Sequence, residues 1–208
     1  PDVQVFMASD HGFTSTTEVV RINTFLHQKG YLHWTVTDES EYSKRRDDSN
    51  FANVDWDRTL AYCRTPSSNG ITIRVAQNPG DPGILPDEYE SFRDGLIKDL
   101  ESLRDEKTGE RLIAEILKRE DHFPGEFMDN AADLTLVLRD YGFVSIRNLE
   151  PVVVDRDVAA GTHHPDGVFL AGGKGIAKGV AVDRLNIVDV APTLLYSLGL
   201  PVPEDFEG

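Results

Sequence analysis

The sequence predicts an α/β fold in which a sheet is flanked by helices. Two observations support this prediction. Short runs of apolar, β-branched and aromatic residues, which are typical of strands, recur along the 208 residues. Between these runs lie segments whose apolar residues are three or four positions apart, as on one face of an amphipathic helix. Clusters of Gly, Pro, Asn and Asp separate the segments, with no internal repeat or low-complexity tract.

The N-terminal segment is predicted to form a strand, a helix and a second strand. Residues 3–8 have the apolar character of a buried strand and run into the turn-forming sequence SDHG. Ser15 and Glu18 have the spacing of a capping box, which predicts a helix over residues 17–29. The apolar side of this helix would comprise Val19, Ile22, Phe25 and Leu26. Residues 31–36 then have the composition of a strand.

The central segment begins with a polar stretch, residues 37–54, which we predict to be a surface loop. Two strand candidates follow at 59–64 and 71–77, and the turn-prone sequence TPSSNG separates them. The clearest amphipathic helix covers about 86–104, with a Pro at its start. Its apolar positions are Tyr89, Phe92, Leu96, Leu100 and Leu103. Residues 111–119 fit a helix or a strand equally well.

The C-terminal part is predicted to contain two further strands and a short helix. Residues 132–140 and 168–173 have strand character, and residues 141–148 are a candidate neighbour of the first. Residues 149–166 are expected to be mostly loop. Residues 189–198 fit a short helix, because a Pro stands in their first turn and a Gly follows them.

The length of the chain fits one sizeable domain, and we expect residues 1–208 to form a single domain. Its middle, roughly residues 37–130, is less regular than either end. We predict that this part is an insertion over the core, in the manner of a cap, or a set of loops that frame a site.

Composition excludes several classes of function. The formal net charge is −15, and an acidic surface repels phosphate backbones, so we expect no nucleic-acid binding. No apolar run is long enough to predict a membrane span. The single cysteine, Cys63, excludes an intramolecular disulfide and favours a reducing, cytoplasmic location. The sequence also lacks the G-x-S-x-G motif of serine hydrolases and the glycine patterns of nucleotide-binding loops.

The pair Asp10–His11 is the first candidate for chemistry. It follows the strand predicted at 3–8, and functional groups of open α/β sheets collect at the ends of strands. A carboxylate and an imidazole together suit a divalent cation such as zinc or manganese. The alternative is a structural turn, in which Ser9 or Asp10 bonds local backbone N–H groups and Gly12 provides a permissive backbone. The tetrapeptide alone does not decide between the two interpretations.

Two of the six histidines stand in a second candidate loop. His163 and His164 occur in AAGTHHPDGVFLAGG, where small residues allow a side chain to approach an ion. If strand 168–171 runs antiparallel to strand 3–8, this loop reaches the same end of the sheet as Asp10–His11. Three nitrogen and oxygen ligands would then converge. The remaining histidines are expected to pack or to lie at the surface: His27, His33 and His122.

Three motifs occur in an order that resembles a known superfamily. They are SDHGF at 9–13, GTHHPDG at 161–167 and DVAPTLLYSLGLPVPEDFEG at 189–208. Together they resemble the alkaline phosphatase superfamily, and within it the type I phosphodiesterase / nucleotide pyrophosphatase (predicted phosphohydrolase-phosphomutase) branch. The segment INTFLHQKGYL at 22–32 is similar to the helix and strand that follow the first motif in that branch. The resemblance extends over nearly the whole chain.

The resemblance implies a fold, an activity and a set of ligands. The fold would be part of an alkaline-phosphatase-like mixed sheet with an irregular middle insertion. The parent protein would hydrolyse phosphate esters, as phosphodiesterases and nucleotide pyrophosphatases do, with two divalent metal ions, zinc or manganese. Asp10 and His11 match the pair that binds one ion, and His163 matches the histidine that binds the other. His164 matches a variable position and is assigned no metal. The partner would be a phosphorylated small molecule.

The resemblance also implies that the chain is the C-terminal portion of such an enzyme. The family's nucleophile and its remaining metal ligands precede the SDHG motif, so no catalytic residue is assigned in this chain, and substrate-binding residues stay unassigned. We therefore expect the chain alone to be inactive and to bind metal at most partially. Two alternatives remain, a phosphomutase of the phosphoglycerate-mutase-like kind and a catalytically incomplete metal-binding or interaction domain. Exposed sheet edges would favour homo-oligomers, and no membrane partner is expected.

Overall fold

The computed structural model describes residues 3–35, 51 and 53–207, and within them it confirms the predicted α/β fold. This part of the chain contains eight strands and four helices. The strands are β1 (Gln4–Ala8), β2 (Gly12–Val20), β3 (Ala61–Cys63), β4 (Gly70–Ile73), β5 (Ile113–Lys118), β6 (Leu134–Leu138), β7 (Val153–His164) and β8 (Phe169–Gly173). The helices are α1 (Ile22–Gln28), α2 (Tyr89–Glu101), α3 (Arg119–His122) and α4 (Val190–Ser197). Among these described residues, no helix combines the length and apolar character needed to span a bilayer.

Close contacts divide the chain into two compact units. The first unit comprises residues 1–13 and 163–208, and the second unit comprises residues 14–162. A compact unit is not the same as a domain, so the single domain over 1–208 stays a prediction. The unit boundaries differ from those of the region at 37–130, whose interpretation as an insertion or cap also stays a prediction.

The first unit is built on the antiparallel pair of β1 and β8. Ala8 lies opposite Phe169, which confirms the expected antiparallel pairing of strand 168–171 with strand 3–8. In an antiparallel pair, the end of one strand adjoins the start of the other. The loop that follows β1 therefore lies beside the loop that precedes β8.

The second unit is built on a four-stranded antiparallel sheet in the order β3-β4-β6-β5. Burial alternates along its strands, so that in β6 Leu134 and Leu136 are buried while Thr135 is only half-buried. The buried side of the sheet belongs to one core with the helices α1 and α2. The fully buried apolar residues of these helices are Ile22, Leu26, Leu96 and Leu100. Burial of one such side chain contributes about 2 kcal/mol relative to exposure.

A buried amide fixes α1 against the edge of this sheet. Asn23 is fully buried, and its Nδ2 donates to the Cys63 carbonyl oxygen over 2.9 Å, while the Cys63 N–H donates to Asn23 Oδ1 over 2.8 Å. The amide thus provides hydrogen-bond partners for the backbone N–H and carbonyl groups of Cys63 at the edge of the sheet, as a neighbouring strand would. Burial raises the pKa of the Cys63 thiol to about 12, so this cysteine behaves as a small core residue.

The helix predicted over 17–29 is wrong in its first part. Residues 17–20 belong to β2, and α1 begins only at Ile22. The sequence TSTTEVV is rich in β-branched residues, which lose side-chain freedom in a helix and favour a strand. Burial alternates as in a strand, with Thr16, Glu18 and Val20 buried. Ser15 and Glu18 therefore form no capping box.

The loop predicted over 149–166 is also wrong, because β7 occupies most of it and pairs with β2. The run VVVDRDV has the β-branched composition of a strand. The partner of this strand is β2, which includes residues 17–20, so the helix predicted there leaves β7 without a neighbour to pair with.

Two other predicted strands are absent from the described residues. In place of the strand at 31–36, Trp34 forms an isolated bridge with Val54. Residues 141–148 do not pair with β6, whose neighbours are β4 and β5. Ser145 instead forms an isolated parallel bridge with Arg21, so this segment contributes a bridge and no strand.

The remaining predicted elements are confirmed, with shorter bounds, but β1 is not the buried strand predicted at 3–8, because Val5 and Met7 are exposed. The strands predicted at 59–64 and 71–77 are β3 and β4, and the helix at 86–104 is α2, preceded by a 3-10 turn. The elements predicted in the C-terminal part appear as β6, β8 and α4. The ambiguous segment 111–119 forms β5, which the single turn α3 follows. Most of the loop predicted at 37–54 lies outside the described residues.

A buried ion pair joins β2 to the end of β6. Arg139 donates two hydrogen bonds to the Glu18 carboxylate, over 3.0 and 2.6 Å, and the Glu18 side chain is only 7% exposed. The same guanidinium donates to Asp105 over 2.8 Å and to Glu110 over 3.0 Å. The hydrogen bonds that Arg139 donates to Glu18 and Asp105 raise the pKa of Arg139 above its ordinary value. The two hydrogen bonds from this guanidinium to Glu18 offset the free-energy cost of removing the Glu18 carboxylate from water.

We expect Arg139→Leu to lower the free energy of unfolding by about 3 kcal/mol, because the buried Glu18 carboxylate would lose its partner. Urea unfolding followed by circular dichroism would measure the change. Arg111→Leu is a matched control, since Arg111 and Glu101 form a half-exposed pair at 3.4 Å. For this control we expect a loss of about 0.5 kcal/mol or less. Equal losses in the two variants would contradict the role given to Arg139.

Asp105 makes the stability of this cluster depend on pH. The hydrogen bond from Arg139 lowers the pKa of Asp105 to about 2, and the Lys107 backbone N–H acts in the same direction. An unfolded Asp titrates near about 3.9, so the contribution of Asp105 is complete above that pH and is lost as the pH falls toward its folded pKa. We expect the unfolding free energy to fall more steeply in the wild type than in Asp105→Asn between about pH 5 and about pH 2. Urea unfolding at several pH values would show this, and parallel curves would disprove it.

Candidate functional site

Two loops of the first unit are held together at one end of the β1–β8 pair. The Ser9 N–H donates to the Val168 carbonyl oxygen over 3.0 Å, and the Val168 N–H donates to Ser9 Oγ over 2.8 Å. The first bond extends the strand ladder, and the second uses the serine side chain in place of a backbone acceptor. The SDHG turn and the HHPDG turn are therefore fixed against each other.

Each of these loops carries a glycine at a point of close approach. A Cβ atom on Gly12 would lie 2.0 Å from the Asp166 carbonyl oxygen, and one on Gly167 would lie 2.5 Å from Ser9 Oγ. No larger residue fits at either position unless the backbone moves. Gly12 does not have a positive φ. The permissive backbone expected at Gly12 is therefore not the reason for this glycine, which is required by the packing of the two loops.

The two loops place two imidazoles against each other. The ring centroids of His11 and His163 are 4.2 Å apart, with the planes at 75°. Phe13 contacts both rings, with its centroid 5.2 Å from that of His11 and 5.7 Å from that of His163. The expectation that the His163 loop reaches the same end of the sheet as Asp10–His11 is thus confirmed.

A backbone carbonyl determines which nitrogen of His11 is available. Nδ1 lies 2.9 Å from the Gly12 carbonyl oxygen, and since a carbonyl only accepts, Nδ1 carries the proton in the neutral ring. Nε2 then carries the lone pair, and it lies 3.6 Å from Oδ1 of Asp10. Histidines that bind metals are commonly oriented by such a bond at the other ring nitrogen.

Asp10 and His11 fit a divalent cation in donor type and in separation. Two ligands of a tetrahedral ion with bonds of about 2.1 Å lie about 3.4 Å apart, which is close to the observed 3.6 Å. No third ligand joins them: within residues 3–35, 51 and 53–207, no three His, Cys, Asp or Glu side chains are grouped so that they could hold a metal. The assignment of Asp10 and His11 to one ion, and of His163 to a second, stays a prediction in which this chain supplies part of the ligands.

His164 differs from its neighbour in the role of its ring. Its Nδ1 accepts a hydrogen bond from the Asp166 N–H over 3.1 Å, so the neutral ring carries its proton on Nε2. This bond closes the turn that follows β7. It gives His164 a structural role in the HHPDG loop, in which Asp166 also approaches Gly12.

The three histidines of the second unit have the packing and surface positions expected for them. His27 Nδ1 lies 2.9 Å from the Leu32 carbonyl oxygen, and His33 Nε2 lies 3.0 Å from the Gly30 carbonyl oxygen. His122 is exposed on the single turn α3. An exposed histidine of this kind is a suitable control for substitutions in the two loops of the first unit.

A cleft of about 540 Å³ opens beside Asp10. Its polar lining includes Asp10, Asp166 and Arg184, and Arg184 Nη2 donates to Asp166 Oδ2 over 2.6 Å. Neither Asp166 nor Arg184 is among the functional residues predicted from the sequence. Asp166 could be found there, because it stands in the GTHHPDG motif. No sequence pattern indicates Arg184, because it lies outside every motif and meets Asp166 only in the folded chain.

Comparison with known proteins identifies one family. The model of the family described as type I phosphodiesterase / nucleotide pyrophosphatase matches residues 1–166. This range contains Asp10, His11 and His163 and covers more than half of the 208 residues. No curated protein and no solved structure matches the chain.

We expect His11 and His164 to be opposite tautomers. Long-range ¹H–¹⁵N NMR spectra of the neutral rings should show the proton of His11 on Nδ1 and that of His164 on Nε2. The reason is that a carbonyl accepts from the first ring, whereas a backbone N–H donates to the second. The variants His11→Gln and His164→Gln would assign the signals. The same tautomer in both rings would contradict this arrangement.

Proposed function

The chain belongs to the type I phosphodiesterase / nucleotide pyrophosphatase family, and we propose that the protein it forms hydrolyses phosphodiester bonds with the help of divalent metal ions. Family membership supports phosphoester hydrolysis. The proposal goes beyond family membership in three respects: a phosphodiester substrate, a dependence on metal ions and the residues that bind these ions. The observation that carries it is the contact of His11 with both Asp10 and His163 inside the matched range.

Three side chains would supply metal ligands in this proposal. Asp10 would contribute a carboxylate oxygen and His11 would contribute Nε2 to one ion, and His163 would contribute a ring nitrogen to the second. Zinc and manganese both accept this combination of oxygen and nitrogen ligands. When bound, such ions supply Lewis-acid chemistry that polarises a phosphoryl group.

The surroundings of His11 support a ligand role for this residue. The Gly12 carbonyl oxygen accepts from Nδ1–H and so keeps the lone pair on Nε2. His163 and Phe13 pack against the ring and restrict its rotation. A side chain that is oriented before its ligand arrives loses less conformational entropy on binding.

We assign no nucleophile in the two loops. In-line displacement at phosphorus needs a hydroxyl or a water molecule opposite the leaving group. The hydroxyl oxygen of the SDHG motif, Ser9 Oγ, accepts from the Val168 N–H and joins the two loops. This structural role leaves the nucleophile to another part of the protein, as the resemblance to the superfamily implies.

Substitution of the proposed ligands tests this function. Asp10→Asn, His11→Gln and His163→Gln would be compared with the control His122→Gln, in this chain and in the longest protein that its gene encodes. Metal content after loading with zinc or manganese, and the hydrolysis of bis(4-nitrophenyl) phosphate, would be measured. In the active protein we expect each site variant to lose metal and to lower kcat/KM by at least about 100-fold. The control should change neither quantity.

Two outcomes would contradict the proposal. Unchanged metal content in all three site variants would reject the assignment of the ligands. Metal binding without hydrolysis in the longest protein would reject the hydrolase and favour a metal-binding domain without catalysis.

A further inference from the structure

We propose that the cleft beside Asp10 binds the organic group of a phosphoester substrate whose alcohol part is aromatic or aliphatic, and that Arg184 binds its anionic part. The identity of the ligand as a phosphoester rests on the proposed function. The shape and the lining of the cleft belong to the first unit alone and are independent of that function.

The lining of the cleft has a polar and an apolar part. Its volume of about 540 Å³ lies within the range of small-molecule sites. The polar part comprises Ser9, Asn186, the cation of Arg184 and three carboxylates, those of Asp10, Asp166 and Asp183. The apolar part includes Val168, Phe169, Val182, Leu185, Ile187 and Val190. This division fits a ligand that carries a charged group at one end and an apolar group at the other.

Several apolar residues of the lining are strongly exposed. The exposed fractions are 60% for Val168, 62% for Val182, 48% for Leu185 and 56% for Ile187. Single exposed apolar residues are common on protein surfaces, but these four line one concave surface. An apolar group in the cleft would remove this surface from water, which favours binding. A polyhydroxylated group would gain less from the same surface.

Arg184 supplies a cation at the polar part of the cleft. Its hydrogen bond to Asp166 Oδ2, over 2.6 Å, holds the guanidinium at the cleft wall. A guanidinium has five N–H donors, and this bond uses one of them, while the side chain is 79% exposed. The other donors are available for phosphoryl oxygens, to which arginine binds in a bidentate manner.

Asp10 connects the cleft to the proposed metal ligands. It lines the cleft, and its Oδ1 lies 3.6 Å from Nε2 of His11. A phosphoryl group bound near Asp10 and Arg184 would therefore lie beside the proposed ligands, with its organic group along the apolar lining. In this arrangement Arg184 determines where the phosphoryl group sits, and Leu185 and its apolar neighbours determine which alcohol group is accepted. Asp10 is an anion and would act on the phosphoryl group only through a bound cation.

Two phosphonates that cannot be hydrolysed as esters test the inference. Phenylphosphonate and methylphosphonate share one anionic group and differ in the size of the apolar group. Calorimetric titration of the whole chain, with and without zinc, would measure both affinities. We expect phenylphosphonate to bind at least about tenfold more tightly. We expect Leu185→Gln to reduce this preference to about threefold or less, and Arg184→Gln to weaken both probes by about tenfold.

Matched controls separate the cleft from the general surface. Leu85→Gln changes a leucine that is also 48% exposed but lies in the second unit, and Arg58→Gln changes an arginine whose side chain is 66% exposed in that unit. Both controls should leave the two affinities unchanged.

Four outcomes would overturn the inference. Equal affinities in the wild type, or a preference that survives Leu185→Gln, would reject the apolar part of the cleft. An unchanged affinity in Arg184→Gln would reject the role of the arginine, and the absence of binding by either probe would reject both. None of these measurements depends on hydrolysis. A protein without phosphodiesterase activity that still prefers phenylphosphonate would contradict the proposed function and support the cleft.

Discussion

The antiparallel pairing of β1 with β8 is the constraint on which the candidate site depends. Ser9 and Val168 are 159 positions apart in the sequence, yet two hydrogen bonds join them where the strands end. The two loops are then so close that a Cβ atom on Gly12 would overlap the Asp166 carbonyl oxygen. His11 directly precedes β2 and His163 lies near the end of β7, so the pairing of β2 with β7 and this closure together bring the two rings into contact.

Polar residues have different surroundings in the two units. In the second unit, Glu18 and Asn23 are buried and their hydrogen bonds join secondary-structure elements. In the first unit, Asp10 is 83% exposed and Arg184 is 79% exposed. Exposed ion pairs add little to stability. Asp10 and Arg184 therefore add little to the stability of the fold.

The family match and the cleft overlap in part, because Asp10 and Asp166 lie in the matched range and also line the cleft. The match ends at residue 166 and includes the proposed metal ligands. Arg184, Leu185 and Ile187, which line the cleft, lie beyond that residue. Chemistry that a family shares can be combined with a binding surface that differs between its members, and substrate choice then depends on the second part.

Local patterns in the sequence were enough to predict α2, β6, β8 and α4, because the spacing of apolar residues repeats within each segment. The order of the motifs also identified the family, and with it the three proposed ligands. Local patterns were not enough to predict β2 and β7, because each of these strands is stabilised by a partner far away in the sequence. The spacing of Ser15 and Glu18 resembles a capping box and so favoured a helix where β2 lies. The protonated nitrogen of His11, the need for glycine at position 12 and the meeting of Arg184 with Asp166 were decided by packing. Each of these depends on distances between atoms that folding brings together, and no local sequence pattern contains those distances.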